Sequence, residues 1–232
     1  MRGEPNIAAV AALLADPGRA MMLTALAGGR ALPAGELAAL AGLSASGASA
    51  HLSRLVAGGL LAVERQGRHR YYRLAGGEVA AALEGLAALA GPTRLAGRSQ
   101  PPGAEALRRA RSCYDHLAGE LGVGITEALE AAGYLTPGEG RALQVTAAGA
   151  AWFTATLSIE VPALRPGRHG VAHRCLDWTE RRHHLAGPLG AALFRRLGEL
   201  GWISRVAGSR AVRVTRLGRD GLREGLGVVL SA

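Results

Sequence analysis

Lysine is missing from this chain of 232 residues, and all 27 of its basic residues are arginine. A GC-rich genome produces such a bias, so the absence alone excludes nothing. The formal net charge of +9 is more informative, because a cationic surplus favours nucleic acid or an acidic membrane surface as partner. Cysteine is scarce too. Cys113 and Cys175 are the only two, too few for a disulfide-stapled secreted scaffold. No apolar run reaches the ~20 residues that a membrane-spanning helix takes. The start, Arg2 followed by Ile7–Leu14, faintly echoes a signal peptide, but Glu4 and Pro5 interrupt it. A cytoplasmic protein with no membrane partner is expected. Nucleophile elbows, phosphate-binding glycine loops and zinc-protease helices are absent as well, so enzymatic activity is not expected.

Nearly half of the residues are apolar, at 49%, enough to bury a core. Ile7, Val10, Leu13 and Leu14 recur at helical spacing and predict a first helix ending near Asp16-Pro17. A second runs from about Arg19 to Gly28-Gly29. A third begins at Pro33 and stops at Gly42. Ser44 is placed to cap a fourth, about Ala45–Ala57. Then the pattern changes: Leu60–Val63 reads as a strand, Gln66-Gly67-Arg68 as a turn, and Arg70–Leu74 as the returning strand. A helix from Glu78 to about Leu89 closes this unit, and residues 91–104, rich in proline and glycine, read as a linker.

The rest of the chain repeats itself. His116-Leu117-Ala118-Gly119 recurs as His184-Leu185-Ala186-Gly187, at an offset of 68. The same offset carries Leu121-Gly122 to Leu189-Gly190, Leu129 to Leu197 and Gly133-Tyr134 to Gly201-Trp202. After one inserted residue, Val145-Thr146-x-x-Gly149 matches Val214-Thr215-x-x-Gly218. Each copy, about 113–160 and 175–225, reads as helix, glycine stop and short hairpin. That is also the order at Leu55–Leu74. The expected fold is mainly α with small β-hairpin wings. A DNA-binding and dimerisation domain, 1–90, precedes an effector domain, 105–232, of two winged-helix-like repeats.

Helix-turn-helix recognition needs a short helix with small or polar outward residues, held by a preceding helix across a tight turn. At 100° per residue, Ala48, Leu52, Leu55 and Val56 share one side of the fourth helix, while Ser46, Ala50, Ser53 and Arg54 share the other. Ser49 and His51 lie on the flanks. The hairpin adds Arg65, Arg68, His69, Arg70 and Arg73, placed for phosphate contacts beside the groove. With Asp16-Pro17-x-Arg19, Ser46-x-x-Ser49-x-His51-Leu52-x-x-Leu55, Gly58-Gly59-Leu60-Leu61 and the Arg68–Leu74 wing, residues 6–90 resemble the ArsR family of winged-helix repressors. The resemblance implies a homodimer whose terminal helices, Ile7–Leu14 and Glu78–Leu89, pair across a two-fold axis. It also implies a repressor that leaves double-stranded DNA when a small-molecule or metal effector binds. One departure stands out. Metal-sensing members often carry cysteines on the helix before the turn, and Glu36–Leu43 has none.

Each repeat does contain a Cys-x-Asp sequence, Cys113-Tyr114-Asp115 and Cys175-Leu176-Asp177. Cys113 and His116 stand three apart, which on a helix would place them on one face, and Cys175, His173, His183 and His184 would complete a site from the other copy. Thiolate with imidazole suits zinc, copper or haem iron. Competing with this is burial of both cysteines as small hydrophobes. So is an organic effector in a pocket lined by Trp152, Phe153, Trp178 or Trp202. Two other classes stand beside the regulator: a Cys/His-dependent enzyme, with His116 or His184 as base and Asp115 or Asp177 orienting it, and a protein-interaction adaptor on a degenerate winged-helix scaffold.

Overall fold

The computed structural model describes residues 5–67, 69–90, 103–207 and 209–229. The chain divides into two compact units, residues 1–83 and 84–232. Most of the expected linker, and Arg68 of the wing, lie outside the described residues. Among the described residues no single helix is long and apolar enough to cross a membrane.

The first unit contains α1 (Ile7–Leu14), α2 (Pro17–Leu26), β1 (Leu32–Pro33), α3 (Ala34–Ala41), α4 (Ala45–Ala57), β2 (Leu61–Gln66) and β3 (His69–Leu74). Helix α5 (Gly77–Ala90) crosses the boundary into the second. Each start has a local cause. Asp16 caps α2 by accepting from the Arg19 amide at 2.9 Å, with Pro17 in the first turn, where its missing N–H costs nothing. Ser44 caps α4 through the Gly47 amide at 3.2 Å. Between α3 and α4 the chain turns at Gly42, whose φ of 65° suits glycine. Met22, Leu23, Leu26, Leu37, Leu52 and Leu55 are fully buried and form the core under α4. The wing is the antiparallel pair β2–β3, and β1 adds a third strand through Leu32↔Tyr72 and Pro33↔Tyr71.

After the end of α5 the second unit contains α6 (Ala104–Arg109) and two copies of one plan. The first copy is β4 (Arg111–Cys113), β5 (His116–Ala118), α7 (Gly119–Ala131), β6 (Leu135–Pro137), β7 (Ala142–Val145) and α8 (Ala147–Leu157). After a 3-10 turn at Val161–Ala163 the second follows: β8 (Ala172–Leu176), β9 (His183–Ala186), α9 (Gly187–Glu199), β10 (Ile203–Arg205), β11 (Val212–Val214) and α10 (Arg216–Leu226). A helix followed by a hairpin therefore occurs in each copy. Each also begins with a hairpin that the sequence pattern does not announce.

The two copies are interlocked. The hairpin β6–β7 of the first copy pairs with β8–β9 of the second in one four-stranded antiparallel sheet. Reciprocally, β11 of the second copy reaches back to β4 of the first. There the Ser112 amide donates to the Arg210 carbonyl at 2.9 Å, and the Val212 amide to the Ala110 carbonyl at 2.9 Å. Helix α7 packs on β9, and α9 on β5. The result is a single hydrophobic core to which both copies contribute, including Leu121, Ile125 and Leu129 from one and Leu189, Leu193 and Leu197 from the other.

Candidate nucleic-acid interface and a buried cysteine-histidine cluster

On α4, the buried positions are Ala48, Leu52 and Leu55, so one face is fixed to the core. Ser46, Ser49, Ala50, Ser53 and Arg54 are exposed on the opposite side. His51 is half-buried and faces inward to the corner between α1 and α2, with Nδ1 3.3 Å from Arg19 and 3.6 Å from Asp16. Arg19 ties that corner together. Its Nε donates to the Leu13 carbonyl at 2.6 Å and an Nη to the Ala12 carbonyl at 2.8 Å, satisfying carbonyls that the end of α1 leaves open. The Asp16-Pro17-x-Arg19 motif is thus a cap and a clamp that seat α4 through His51.

On the wing, Arg65, His69 and Arg70 are exposed, and Arg65 lies directly opposite Arg70 in the strand register. Like charges placed opposite one another destabilise a hairpin unless an anion lies between them. Arg73 is partly withdrawn from this group. It donates to the Glu64 carboxylate across the hairpin and to the Leu74 carbonyl at 3.2 Å.

The second centre lies inside the C-terminal unit. Cys113, His116, Cys175 and His184 are all buried, and one ligand atom from each lies within 4.8 Å of the others. The expected helical placement of Cys113 and His116 is corrected. They sit on β4 and β5, joined by a two-residue turn in which Tyr114 has φ 56°, and they are direct cross-strand partners. Cys175 and His184 are cross-strand partners on β8 and β9 in the same way. Cross-strand neighbours share a face of the ladder, so each hairpin presents one thiol and one imidazole together. His183, one residue earlier on β9, is exposed and points away, as alternation along a strand requires. His173 is half-buried beside His169, with ring centroids 5.4 Å apart.

Two glycines let the hairpins meet. A Cβ on Gly122 of α7 would fall 2.5 Å from the Leu117 carbonyl oxygen and 3.5 Å from the His184 side chain. On Gly190 of α9 it would fall 2.6 Å from the Leu185 carbonyl oxygen and 3.3 Å from the His116 side chain. Each helix therefore lacks a side chain where the other copy's histidine sits. This pair was visible in the repeat, but its meaning requires the fold.

Both imidazoles have an acidic neighbour at Nδ1: Asp115 3.1 Å from His116, and Asp177 3.2 Å from His184. Their Nε2 atoms face each other at 3.1 Å. The Cys113 thiol is hydrogen-bonded to the Cys175 sulfur, which pulls Cys175 well below the ordinary thiol range despite its burial. The two imidazoles add to the effect. The same bond, together with burial, pushes Cys113 up. Burial opposes charge on both histidines, yet Asp115 and Cys175 raise His116, and Asp177 and Cys175 raise His184. Burial alone would also raise Asp177. Instead, His184, the Arg111 guanidinium, Thr179 and the Gly119 amide hold it well below the usual carboxylate range.

Arg111 is the largest fully buried side chain described, and its composition gives no warning of that. One Nη stands 3.0 Å from Asp177 and 3.9 Å from Glu84, while the other donates to the Thr179 hydroxyl at 3.1 Å. Its guanidinium lies 4.8 Å from the Trp178 ring centroid. Arg210 adds a second bond to Glu84 at 3.1 Å, so two cations meet two carboxylates. The other aromatics named as pocket walls are packing groups. Phe153 is fully buried, and Trp152 stacks on Tyr134 with centroids 5.3 Å apart. A cavity of about 350 Å³ does exist in this unit, but it is lined by other residues, among them Arg109, Glu120, Val206, Arg213 and Arg219.

Residues 14–64 match the helix-turn-helix domain family. Over 225 residues the chain is 42% identical to an uncharacterized HTH-type transcriptional regulator, YdfF, of Bacillus subtilis (strain 168), covering 97% of this chain and 99% of that one. The chain belongs to the HTH-type transcriptional regulators. It is a DNA-binding transcriptional regulator with a winged helix-turn-helix at its N-terminus. It also resembles two solved structures over a minority of its length. One is the homodimeric winged helix-turn-helix DNA-binding domain of Mb0332 from Mycobacterium bovis, described as a possible ArsR-family regulator: 32% identity, 39% of this chain and 90% of that one, TM-score 0.35. The other is the cadmium metal-sensor CMTR of Mycobacterium tuberculosis: 37% identity, 43% of this chain and 99% of that one, TM-score 0.31. The relationship to YdfF extends through the interlocked C-terminal unit, so that unit belongs to the regulator's common plan.

Proposed function

We propose that this regulator is a cytoplasmic homodimer and an effector-released repressor. It lays α4 in the major groove, with Ser46, Ser49, Ala50, Ser53 and Arg54 toward the bases and Arg65, Arg68, His69 and Arg70 toward phosphates. The observation that carries this reading is the bare face of α4 beside an arginine pair held in register on β2 and β3. The second copy would cover α1, an eight-residue apolar helix none of whose residues is buried, together with Leu86 and Leu89 of α5, both exposed. His51 then acts by seating α4, and Arg73 by bracing the wing. We read residues 1–90 as the DNA-binding part, 91–104 as a linker and 105–232 as the effector part. Within the effector part, α7 with β6–β7 and α9 with β10–β11 form two winged-helix-like units.

Arg54→Ala is expected to flatten the ranking of operator variants, because Arg54 is the outward residue of α4 able to make a bidentate guanine contact, worth about 1–3 kcal/mol. Selection from a randomised site library reads this directly, and an unchanged ranking would show the helix to be wrongly seated. The remaining outward residues are small, so DNA shape supplies the rest of the specificity.

Affinity is also expected to fall steeply with salt, since each neutralised phosphate contributes about −0.9 to the slope of log K against log salt. Arg70→Ala should reduce that slope by roughly two in a dimer, one for each wing. A salt-independent complex, or full-strength binding by a monomer in sedimentation, would end this reading.

A further inference from the structure

We propose that Cys113, His116, Cys175 and His184 form a closed tetrahedral site for zinc, which the two interlocked repeats share. The inference does not rest on how the N-terminal unit reads DNA, and none of its four residues belongs to α3, the helix before the turn.

The donor set comes first. Two thiols and two imidazoles are a complement suited to zinc, which imposes no geometry beyond a compact tetrahedron. Each copy gives one of each from directly paired strand positions, so four donors converge from two hairpins. Spacing comes second. Zn–N bonds of about 2.0–2.1 Å at tetrahedral angles set the two nitrogens about 3.3 Å apart, and the two Nε2 atoms stand at 3.1 Å. A carboxylate can only accept, so Asp115 directs the hydrogen of His116 to Nδ1, and Asp177 stands 3.2 Å from Nδ1 of His184. The two Nε2 atoms face one another in a buried space, where one cation can bind both. Carboxylates behind the ligating histidines are the usual outer support of such a site.

Third, the surroundings are built for these side chains. Gly122 and Gly190 are bare where the opposite histidines pass. Ala118 and Ala186, both buried, line the cysteines. With all four positions supplied by protein there is no opening for a water or substrate, so the metal holds structure and takes no part in hydrolysis.

The test is metal analysis and cobalt substitution on the full-length chain. The purified protein is expected to carry one zinc per chain. After chelation under reducing conditions, it should bind one cobalt(II) with intense visible bands of tetrahedral symmetry and sulfur-to-cobalt charge transfer, displaced by zinc. This wild-type measurement stands whatever the variants do to folding. A weak octahedral cobalt spectrum would overturn the proposal. So would failure of the reduced protein to bind zinc, or a Cys113–Cys175 disulfide in metal-free protein as isolated. The variant Cys113→Ser, Cys175→Ser should lose the charge-transfer bands, and His183→Ala, altered at an exposed neighbour, should keep them. Retention of the bands by the double variant, or their loss in His183→Ala, counts against the site. Asp115→Asn, a change at a half-exposed positioning residue, should weaken cobalt binding about 10-fold or more while leaving the wild-type band positions intact.

Discussion

Arg111→Met is expected to destabilise the C-terminal unit by about 3–5 kcal/mol, the cost of removing one partner from a buried ion cluster. Methionine fills much of the same volume, so a cavity is not the main effect. What remains is Asp177, fully buried and left to His184, Thr179 and the Gly119 amide, and Glu84, 4% exposed, left to Arg210. Water cannot take over the lost contacts, because Trp178 and α6 cover the site. Trp152, Trp178 and Trp202 are the chain's three tryptophans, and all lie beyond residue 84, so their fluorescence in urea reports this unit alone. The double variant Arg111→Met, Asp177→Asn should recover part of the loss, since it removes the charge that has lost its guanidinium. If the single variant unfolds within 1 kcal/mol of wild type, on the scale of about 3–5 expected, the cluster is solvated and the argument fails.

Gly149→Ala and Gly218→Ala are each expected to cost about 3 kcal/mol, at the upper end for overpacking, because the obstacle is backbone. An added Cβ would stand 2.2 Å from the Tyr134 carbonyl oxygen in one and 2.0 Å from the Trp202 carbonyl oxygen in the other. Those same carbonyls accept from Thr146 and Thr215 amides at 3.1 and 2.9 Å, closing each hairpin onto the following helix. Thr146 and Thr215 also cap α8 and α10 through the Gly149 and Gly218 amides, both at 3.0 Å. Moving the helix to admit a methyl group breaks closure and cap together. Gly198→Ala is the control, since nothing lies within 4 Å of its added Cβ. It should stabilise by about 0.4–1 kcal/mol through helix propensity and a less flexible unfolded chain. Equal stability of Gly218→Ala and Gly198→Ala in urea would show that the close approach is not there.

The faces of α4 were legible because a 13-residue helix repeats its apolar positions often enough to define a side, and Ser44 marks its start. The wing was legible from the alternation and the Gln66-Gly67 tip. Strand β1 was not. Two residues carry no period, and its existence depends on Tyr71 and Tyr72 lying alongside. The leading hairpins were hidden for a similar reason. At three residues per strand, Arg111–Cys113 and His116–Ala118 are too short to alternate, and a three-residue spacing between Cys113 and His116 suits a helical turn as well as a tight hairpin. The repeat identified Cys113, His116, Cys175 and His184 as equivalent pairs. That the copies exchange hairpins, and so bring all four together, depends on contacts between distant residues, such as His116 and His184, 68 apart. Nothing in the sequence pattern singles out Arg111. Its burial depends on Asp177 and Trp178 from the β8–β9 connection and Glu84 from α5.

The exchange of hairpins has a consequence for how this half of the protein comes into being. Each copy supplies only part of the surface that covers its own opening strands, since β5 rests mainly on α9 and β9 mainly on α7. Synthesis from the N-terminus therefore delivers the first copy before all of its cover exists, and it must wait, incomplete, for the second to leave the ribosome. Acquisition of native structure is then all-or-none across residues 111–226, with no stable half-way species. A chain nicked near residue 167 should survive as two pieces that hold each other folded, while either piece made alone would not.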